Sequence, residues 1–303
     1  RTIQDQATAL GASLDWQPLA ARAQAVAGSR FLPSEIQTID QDDYALYGMV
    51  SFGSDEMFGN VRFSGNAGLR WVKSDVRSAS SRGPGSQDDL GITLPFSERC
   101  APRSRPPELG GGTVVPGGIC TIGETAYQAL QNFADGSLTY TQGTNTYDYL
   151  LPSMNLKFGL TDDLILRLAG SKVLSRPENS YIRNYFTPTL DTEGNYLASA
   201  GDPTLLPATA WQFDASLEWY FARVGSLTLN GFYKDIENFF YQQVRQETIS
   251  NAAGDTRTVT VRGPANFDGH GKVKGFEIAY QQTFDFLPGP LNGFGASANY
   301  TYI

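Results

Sequence analysis

One histidine, His270, in 303 residues narrows the reaction chemistry this chain could perform. A Ser-His-Asp arrangement needs a histidine serving a strained serine, and no Gly-x-Ser-x-Gly elbow is present. Gly269-His270-Gly271-Lys272 lacks phosphate-loop spacing and leads into a strand pattern rather than a helix, so His270 reads as a loop residue. Two cysteines and one histidine are too few for a structural zinc centre. Cys100 and Cys120 lie in a Gly/Pro-rich stretch, where a disulfide would close the loop and imply an oxidising compartment. Two unrelated thiols are the alternative. Asp88, Asp89, Asp191 and Glu193 lack the spacing of an EF-hand loop and read as solvated loop charge, so neither a metal site nor a cofactor is expected. Tyr181, Arg183, Tyr185 and Phe186 form an aromatic-plus-cation group that could stack on a planar ring or pair with anionic oxygens. Packing between loops is the plainer reading of the same four residues. No enzyme is expected, and binding is the chemistry that remains.

The net charge of −8 comes without any run of Lys and Arg that could track a phosphate backbone, which argues against nucleic acid. Aromatics at 12% and 32 glycines suit an all-β chain rich in turns. No apolar run reaches the roughly 18–20 residues of a membrane-spanning helix. A β-barrel is still allowed, because its strands need only about 9–11 residues and are half polar. Arg1 to Leu10 has no apolar h-region, so a signal peptide is expected either to have been removed or to lie in a preceding segment. Asn299-Tyr300-Thr301-Tyr302-Ile303 reads as a strand cut short.

The elements that must position these groups show as period-two alternation. From Trp211 to Phe221 the odd positions are all apolar, while the even ones are Gln, Asp, Ser, Glu and Tyr. Successive strand side chains face opposite ways, so one face is greasy and the other polar. The pattern returns over Val61–Trp71, Pro152–Phe158, Leu164–Ala169, Phe276–Gln281 and Phe294–Tyr302. Short connections at Gly53–Gly59, Gly159–Asp163, Ala222–Gly225 and Leu287–Gly293 alternate with long ones near 77–146, 175–209 and 245–271. Short turns on one side and long loops on the other are the outer-membrane pattern. The last long connection reads as a hairpin, with Gln246–Ile249 and Arg257–Arg262 flanking Ala253-Gly254-Asp255, and its strands would project beyond the membrane. Phe52, Phe58, Trp219, Tyr220, Phe221, Phe284 and Phe286 sit where strands meet turns, as an aromatic girdle requires. Residues 1–43 fit less well and are expected to be an outer loop or strand remnant, with short helices over Ala7–Leu14 and Leu19–Gly28.

Leu150-Leu151-Pro152-Ser153-Met154-Asn155-Leu156-Lys157 opens a familiar series. Leu160-Thr161-Asp162-Asp163-Leu164, Arg167, Ser171-Lys172 and Ser175-Arg176-Pro177 follow. Gly201-Asp202-Pro203-Thr204-Leu205-Leu206-Pro207, Asp214–Phe221, Phe232-Tyr233-Lys234-Asp235-Ile236 and Val273-Lys274-Gly275-Phe276-Glu277 complete it. In this order the series resembles the barrel of TonB-dependent outer-membrane receptors, and Asn66-Ala67-Gly68-Leu69-Arg70-Trp71-Val72 resembles the family's asparagine-x-glycine-x-arginine strand. The likeness covers about 44–303. Asp202-Pro203 stands where the family usually has Asn-Pro, and Leu206 where it often has Lys. The family's plug domain, its TonB-contacting segment and its closing strand are not in this sequence.

The resemblance implies about eight strands of a roughly 22-stranded antiparallel barrel, in the outer membrane of a Gram-negative bacterium. Apolar rows would face lipid. Arg62, Arg70, Asn155, Lys157, Arg167, Asp214 and Glu218 would face the lumen, where such side chains hold the plug and line the substrate path. It also implies active uptake of a scarce nutrient, driven through TonB by way of the N-terminal region. Siderophore-iron, a vitamin or an oligosaccharide are the substrates carried by relatives. Ligand selection would fall to the outer loops, with Tyr181, Arg183, Tyr185 and Phe186 set to meet a sugar ring or an aromatic siderophore. A passive porin or diffusion channel is the rival reading, since it shares the wall and lacks the plug.

Overall fold

The computed structural model describes residues 25–57, 61–104, 111–291 and 293–303. Among these, fourteen strands, numbered β1 to β14 in chain order, form two principal sheets and one small hairpin. The main sheet runs in the order β1 (Thr38–Met57), β2 (Val61–Arg82), β5 (Thr139–Gly159), β6 (Leu164–Ser175), β9 (Ala208–Ala222), β10 (Gly225–Glu237), β13 (His270–Thr283), β14 (Gly295–Tyr302). Every neighbouring pair in it is antiparallel. Among the described residues β1 and β14 each pair on one side only, so the sheet does not close.

Register turns the alternation of single strands into two continuous faces. One rung reads Phe63, Phe158, Leu166, Leu217, Leu229, Ile278, Tyr300 across seven strands. The next rung reads Ser64, Lys157, Arg167, Ser216, Asn230, Glu277, Thr301. A slip of one residue on any of these strands would put a polar or charged side chain into the greasy row, which is why the pattern fixes the pairing.

Above this band β2 and β5 run on as a longer hairpin. The ladder between β5 and β6 ends at Ser153 and Ser171, beside Pro152, which has no N–H to offer a sheet. On β2 the positions in phase with the polar face, Val72, Ser74, Val76, Ser78 and Ser80, are all buried, against the more exposed polar face lower down. The chain between β6 and β9 covers them. Val76 and Tyr147 pack with Ile182 and Leu205 of that connection. Pro203 lies so close to Gly143 that a Cβ there would sit 2.1 Å from its ring, so only glycine fits.

The second sheet, ordered β11 (Phe240–Ser250), β12 (Thr256–Asn266), β8 (Tyr196–Ala200), β7 (Phe186–Leu190), is built from the long connections themselves. β11 and β12 form the expected hairpin, longer than its sequence signals, and β12 pairs in parallel with β8 instead of projecting alone. Val259, Val261, Ala198 and Ala200 pack against Tyr127, Leu130 and Phe133 of the helix Glu124–Phe133 to make a core of their own. The Cys100 and Cys120 sulfurs are bonded, closing the loop that carries β3 (Arg103–Ser104) and β4 (Thr113–Val114). The three long connections are therefore one folded cap. The first is shorter than 77–146, because β2 continues to Arg82 and β5 begins at Thr139. At the start of the sheet, β1 begins at Thr38, ahead of the expected start of the barrel segment at 44. Ala7–Leu14 and Phe58 lie outside the described residues, and of Leu19–Gly28 only 25–28 fall within them, where no helix forms.

Candidate functional site

Two surfaces have the chemistry to handle a solute: the polar face of the main sheet and the cap above it. On the polar face Arg167 Nε lies 2.7 Å from Glu218 Oε1, one strand across. Ser216 donates to the same oxygen at 3.2 Å, and the Tyr220 hydroxyl donates to Oε2 at 3.0 Å. Tyr220 thus belongs to this polar network and not to the aromatic girdle, because it has the parity of Glu218. Asn155 donates to Asn66 at 3.0 Å directly across the ladder. Arg62 meets Asp162 of a short turn at 3.1 Å, with both groups largely in solvent. Lys157 stands between Ser64 and Arg167 in register, and Arg70 lies opposite Tyr47 and Leu151. Asp214 lines an open groove of about 550 Å³ with Arg167, Asn230, Phe232, Lys234 and Glu277. All seven residues expected to face the lumen share one face, and both charge signs are spread along it.

The aromatic-plus-cation group separates in the structure. Tyr181 lies in the short helix Asn179–Ile182, half-buried, its ring 6.0 Å edge-on from Phe240. The Arg183 guanidinium stacks on the Tyr185 ring at 5.3 Å and is exposed. Phe186 corrects the expectation: it is 7% exposed in the cap core, with the Arg82 guanidinium over its ring at 4.7 Å. A ring held on both faces cannot also stack on a ligand. Asp191 accepts bonds from the backbone of Glu193 and Asn195 and from the Asn195 side chain, which together hold its carboxyl below the usual range. It is a turn-forming carboxylate, as expected for loop charge. His270 opens β13 with Nδ1 2.8 Å from Asp235.

Several residues of structural consequence have no motif to announce them. The Asn184 amide N–H donates to Ser78 Oγ at 2.9 Å, and its side chain donates to the Thr141 carbonyl at 2.9 Å. The Asn145 side chain donates to the carbonyls of Thr204 and Leu205, and Asn266 brackets both backbone groups of Leu206. Arg82 and Arg245 converge on Glu247 at 3.1 and 2.8 Å, tying β2 to β11. These bonds hold the cap to the polar face of the main sheet. A buried asparagine such as Asn184, whose partners lie 43 and 106 residues away, leaves no local trace in a sequence.

The family model described as TonB dependent receptor-like, beta-barrel matches residues 3–303. No curated protein matches the chain. Solved structures similar to it include a ferric enterobactin receptor (PfeA) variant from Pseudomonas aeruginosa, at 14% identity and TM-score 0.44, covering 87% of this chain and 35% of that one. The siderophore receptor PirA from Acinetobacter baumannii matches at 14% identity and TM-score 0.37, covering 88% and 45%. The copper transporter OprC matches at 12% identity and TM-score 0.37, covering 81% and 28%. The chain thus spans less than half the length of each.

Proposed function

Because the chain belongs to the TonB-dependent receptor β-barrel family, we propose that it is part of the wall and outer cap of an outer-membrane receptor that takes up a scarce small molecule by active transport. The observation that carries the reading is the pair of adjacent rungs, one wholly apolar and the next wholly polar, over seven strands. Lipid offers the backbone no hydrogen bonds, so a spanning sheet must pair its strands and turn its greasy side outward. The polar side then faces an aqueous path or a second domain. Arg167, Glu218, Asp214, Lys157, Asn155, Arg62 and Arg70 are the residues assigned to that side. Their mixed charges suit a surface that holds a plug by many weak contacts and releases it under force.

Tyr181, Arg183 and Tyr185 remain the ligand candidates on the cap. Siderophore-iron, a vitamin or an oligosaccharide is the substrate class proposed. A folded cap favours selective capture over open diffusion, since a passive pore gains nothing from a cored structure on its long loops. Growth on the limiting nutrient distinguishes the two. Uptake by the full-length protein should vanish both on deleting its gene and on disabling TonB. Uptake that persists without TonB would assign a passive channel instead.

A further inference from the structure

On the greasy face of five of the eight strands, the first charged residue counted from the short turns marks a boundary. It is Lys73 on β2, Asp148 on β5, Lys172 on β6, Asp235 on β10 and Lys274 on β13. Between that line and the short turns every outward residue of these strands is uncharged: Phe63, Gly65, Ala67, Leu69 and Trp71 on β2, for example, or Leu227, Leu229, Gly231 and Tyr233 on β10. The line moves along the ladder from strand to strand, as tilted strands in a barrel require. At the opposite margin the outward residues are rings and leucines without lysine, among them Phe63, Phe158, Leu164, Trp219 and Leu227. The two margins therefore differ in charge.

Across β6, β9, β10 and β13 one rung at the boundary reads Lys172, Trp211, Asp235, Lys272, and the next rung inward reads Gly170, Phe213, Tyr233, Lys274. The Lys172 ammonium lies 5.9 Å from the Trp211 ring centre, and Trp211 is stacked on Phe213. Lys272 and Lys274 are exposed and lie on the same face two residues apart. Asp235 is turned to His270 at 2.8 Å, and Glu237 lies 3.9 Å from the same ring. Among the described residues no carboxylate lies within ion-pair distance of these three lysines. By contrast, Lys73 on β2 is paired with Asp75 at 3.2 Å. Ammonium groups at the edge of a hydrocarbon-facing surface sit at headgroup level, where their stems stay in the apolar layer and their charge seeks an anion.

We propose that this face, with Lys172 over the Trp211 ring and Lys272 and Lys274 beside it in register, binds the phosphate of a lipid headgroup on the cap side of the membrane. The inference rests on the membrane reading above. It is tested on the full-length receptor, stripped of lipid in a neutral detergent, by native mass spectrometry of retained bisphosphorylated glycolipid against the same glycolipid with its phosphates removed. The parent should retain the phosphorylated form preferentially. The variant K172Q/K272Q/K274Q should lose that retention by about 10-fold or more, and K272Q/K274Q by less. Removing inward charge in K157Q/K234Q should leave it unchanged. Equal retention of the two glycolipids, undiminished retention by the triple variant, or displacement by an equal concentration of inorganic phosphate would each overturn the lipid site. Heat-modifiable gel mobility shows that the barrel is intact in each variant. A receptor soluble without detergent would instead sink the membrane reading itself.

Discussion

At Gly275 a side chain would meet backbone on one side and a ring on the other. A Cβ there would lie 2.2 Å from the Tyr302 carbonyl and 2.6 Å from the Phe232 ring. The carbonyl belongs to the adjacent strand and cannot step aside without breaking the ladder. G275V should therefore cost about 1–3 kcal/mol or more, read as a lower temperature for loss of the heat-modifiable band. Gly231 makes the contrast, since a Cβ there meets nothing within 4 Å; G231A should be nearly silent. Single residues also set the pH response of the cap. Burial pushes the Asp135 carboxyl up, but bonds from Ser137 and from the Ala252 amide outweigh it and hold it below the usual carboxylate range. A depressed carboxylate stabilises above its unfolded pKa, and that contribution is lost as pH falls through the folded value. Protection of the Ala252 turn against proteolysis by an acid-stable protease should thus hold at neutral pH and be lost only in acid below the ordinary aspartate range. In D135N this acid step should disappear, because the amide no longer titrates. The Tyr196 hydroxyl, buried in the cap core and without a hydrogen-bond partner among the described residues, has its pKa pushed up to about 12 and stays neutral throughout.

Elements differ in how far the sequence exposes them. The strands of the main sheet are legible because each alternates over a length no helix pattern can imitate, as in Trp211–Phe221. The cap is not, because its core is made by pieces that meet only in space. The parallel pairing of β12 with β8 joins Val261 to Ala198, two residues far apart in the chain. The helix Glu124–Phe133 did leave a signal, with Tyr127, Leu130 and Phe133 three apart on one face. It is short and enclosed by a Gly/Pro-rich stretch, which reads as loop. Phe186 shows the same limit at the candidate site, since composition gives an aromatic near an arginine but not which face of it is covered. The element-scale expectation concerns the staple. Cys100 and Cys120 close a loop at a separation of 20 residues, so C100S/C120S should destabilise the cap by about 3 kcal/mol. The loss should appear as protease sensitivity of residues 96–138 while the barrel's heat-modifiable mobility is kept. N184A should act through a different contact, leaving the Thr141 carbonyl unpaired and costing about 1–3 kcal/mol. If cap and wall are separable units, hydrogen exchange should rise in the cap and in the upper part of β2 and β5, and not in the strands below Trp71.

For the molecule as a whole, the greasy face and the open edges decide behaviour together. β1 and β14 each offer an unpaired row of N–H and C=O groups among the described residues, and both are long enough to template another strand. Strand-edge pairing is strongest where side chains are apolar and uncharged. β14, reading Gly-Ala-Ser-Ala-Asn-Tyr-Thr-Tyr, has no charge at all. β1 carries Asp40, Asp42, Asp43 and Asp55, whose repulsion opposes self-pairing. Produced alone and refolded in detergent, residues 25–303 should therefore associate edge to edge, chiefly through β14. A full-length receptor whose barrel closes should run as a compact monomer in the same detergent. Replacing outward Tyr300 or Tyr302 by lysine should reduce association of the isolated segment, because like charges stacked across a self-paired edge repel. The same change in the closed barrel would place an ammonium beside the outward Phe276 and Ile278, costing about 2–4 kcal/mol at the bilayer midplane and less near its edge. Light scattering of the segment and thermal shift of the receptor would thus move in opposite directions, an outcome that a soluble sandwich with a buried second sheet has no reason to give.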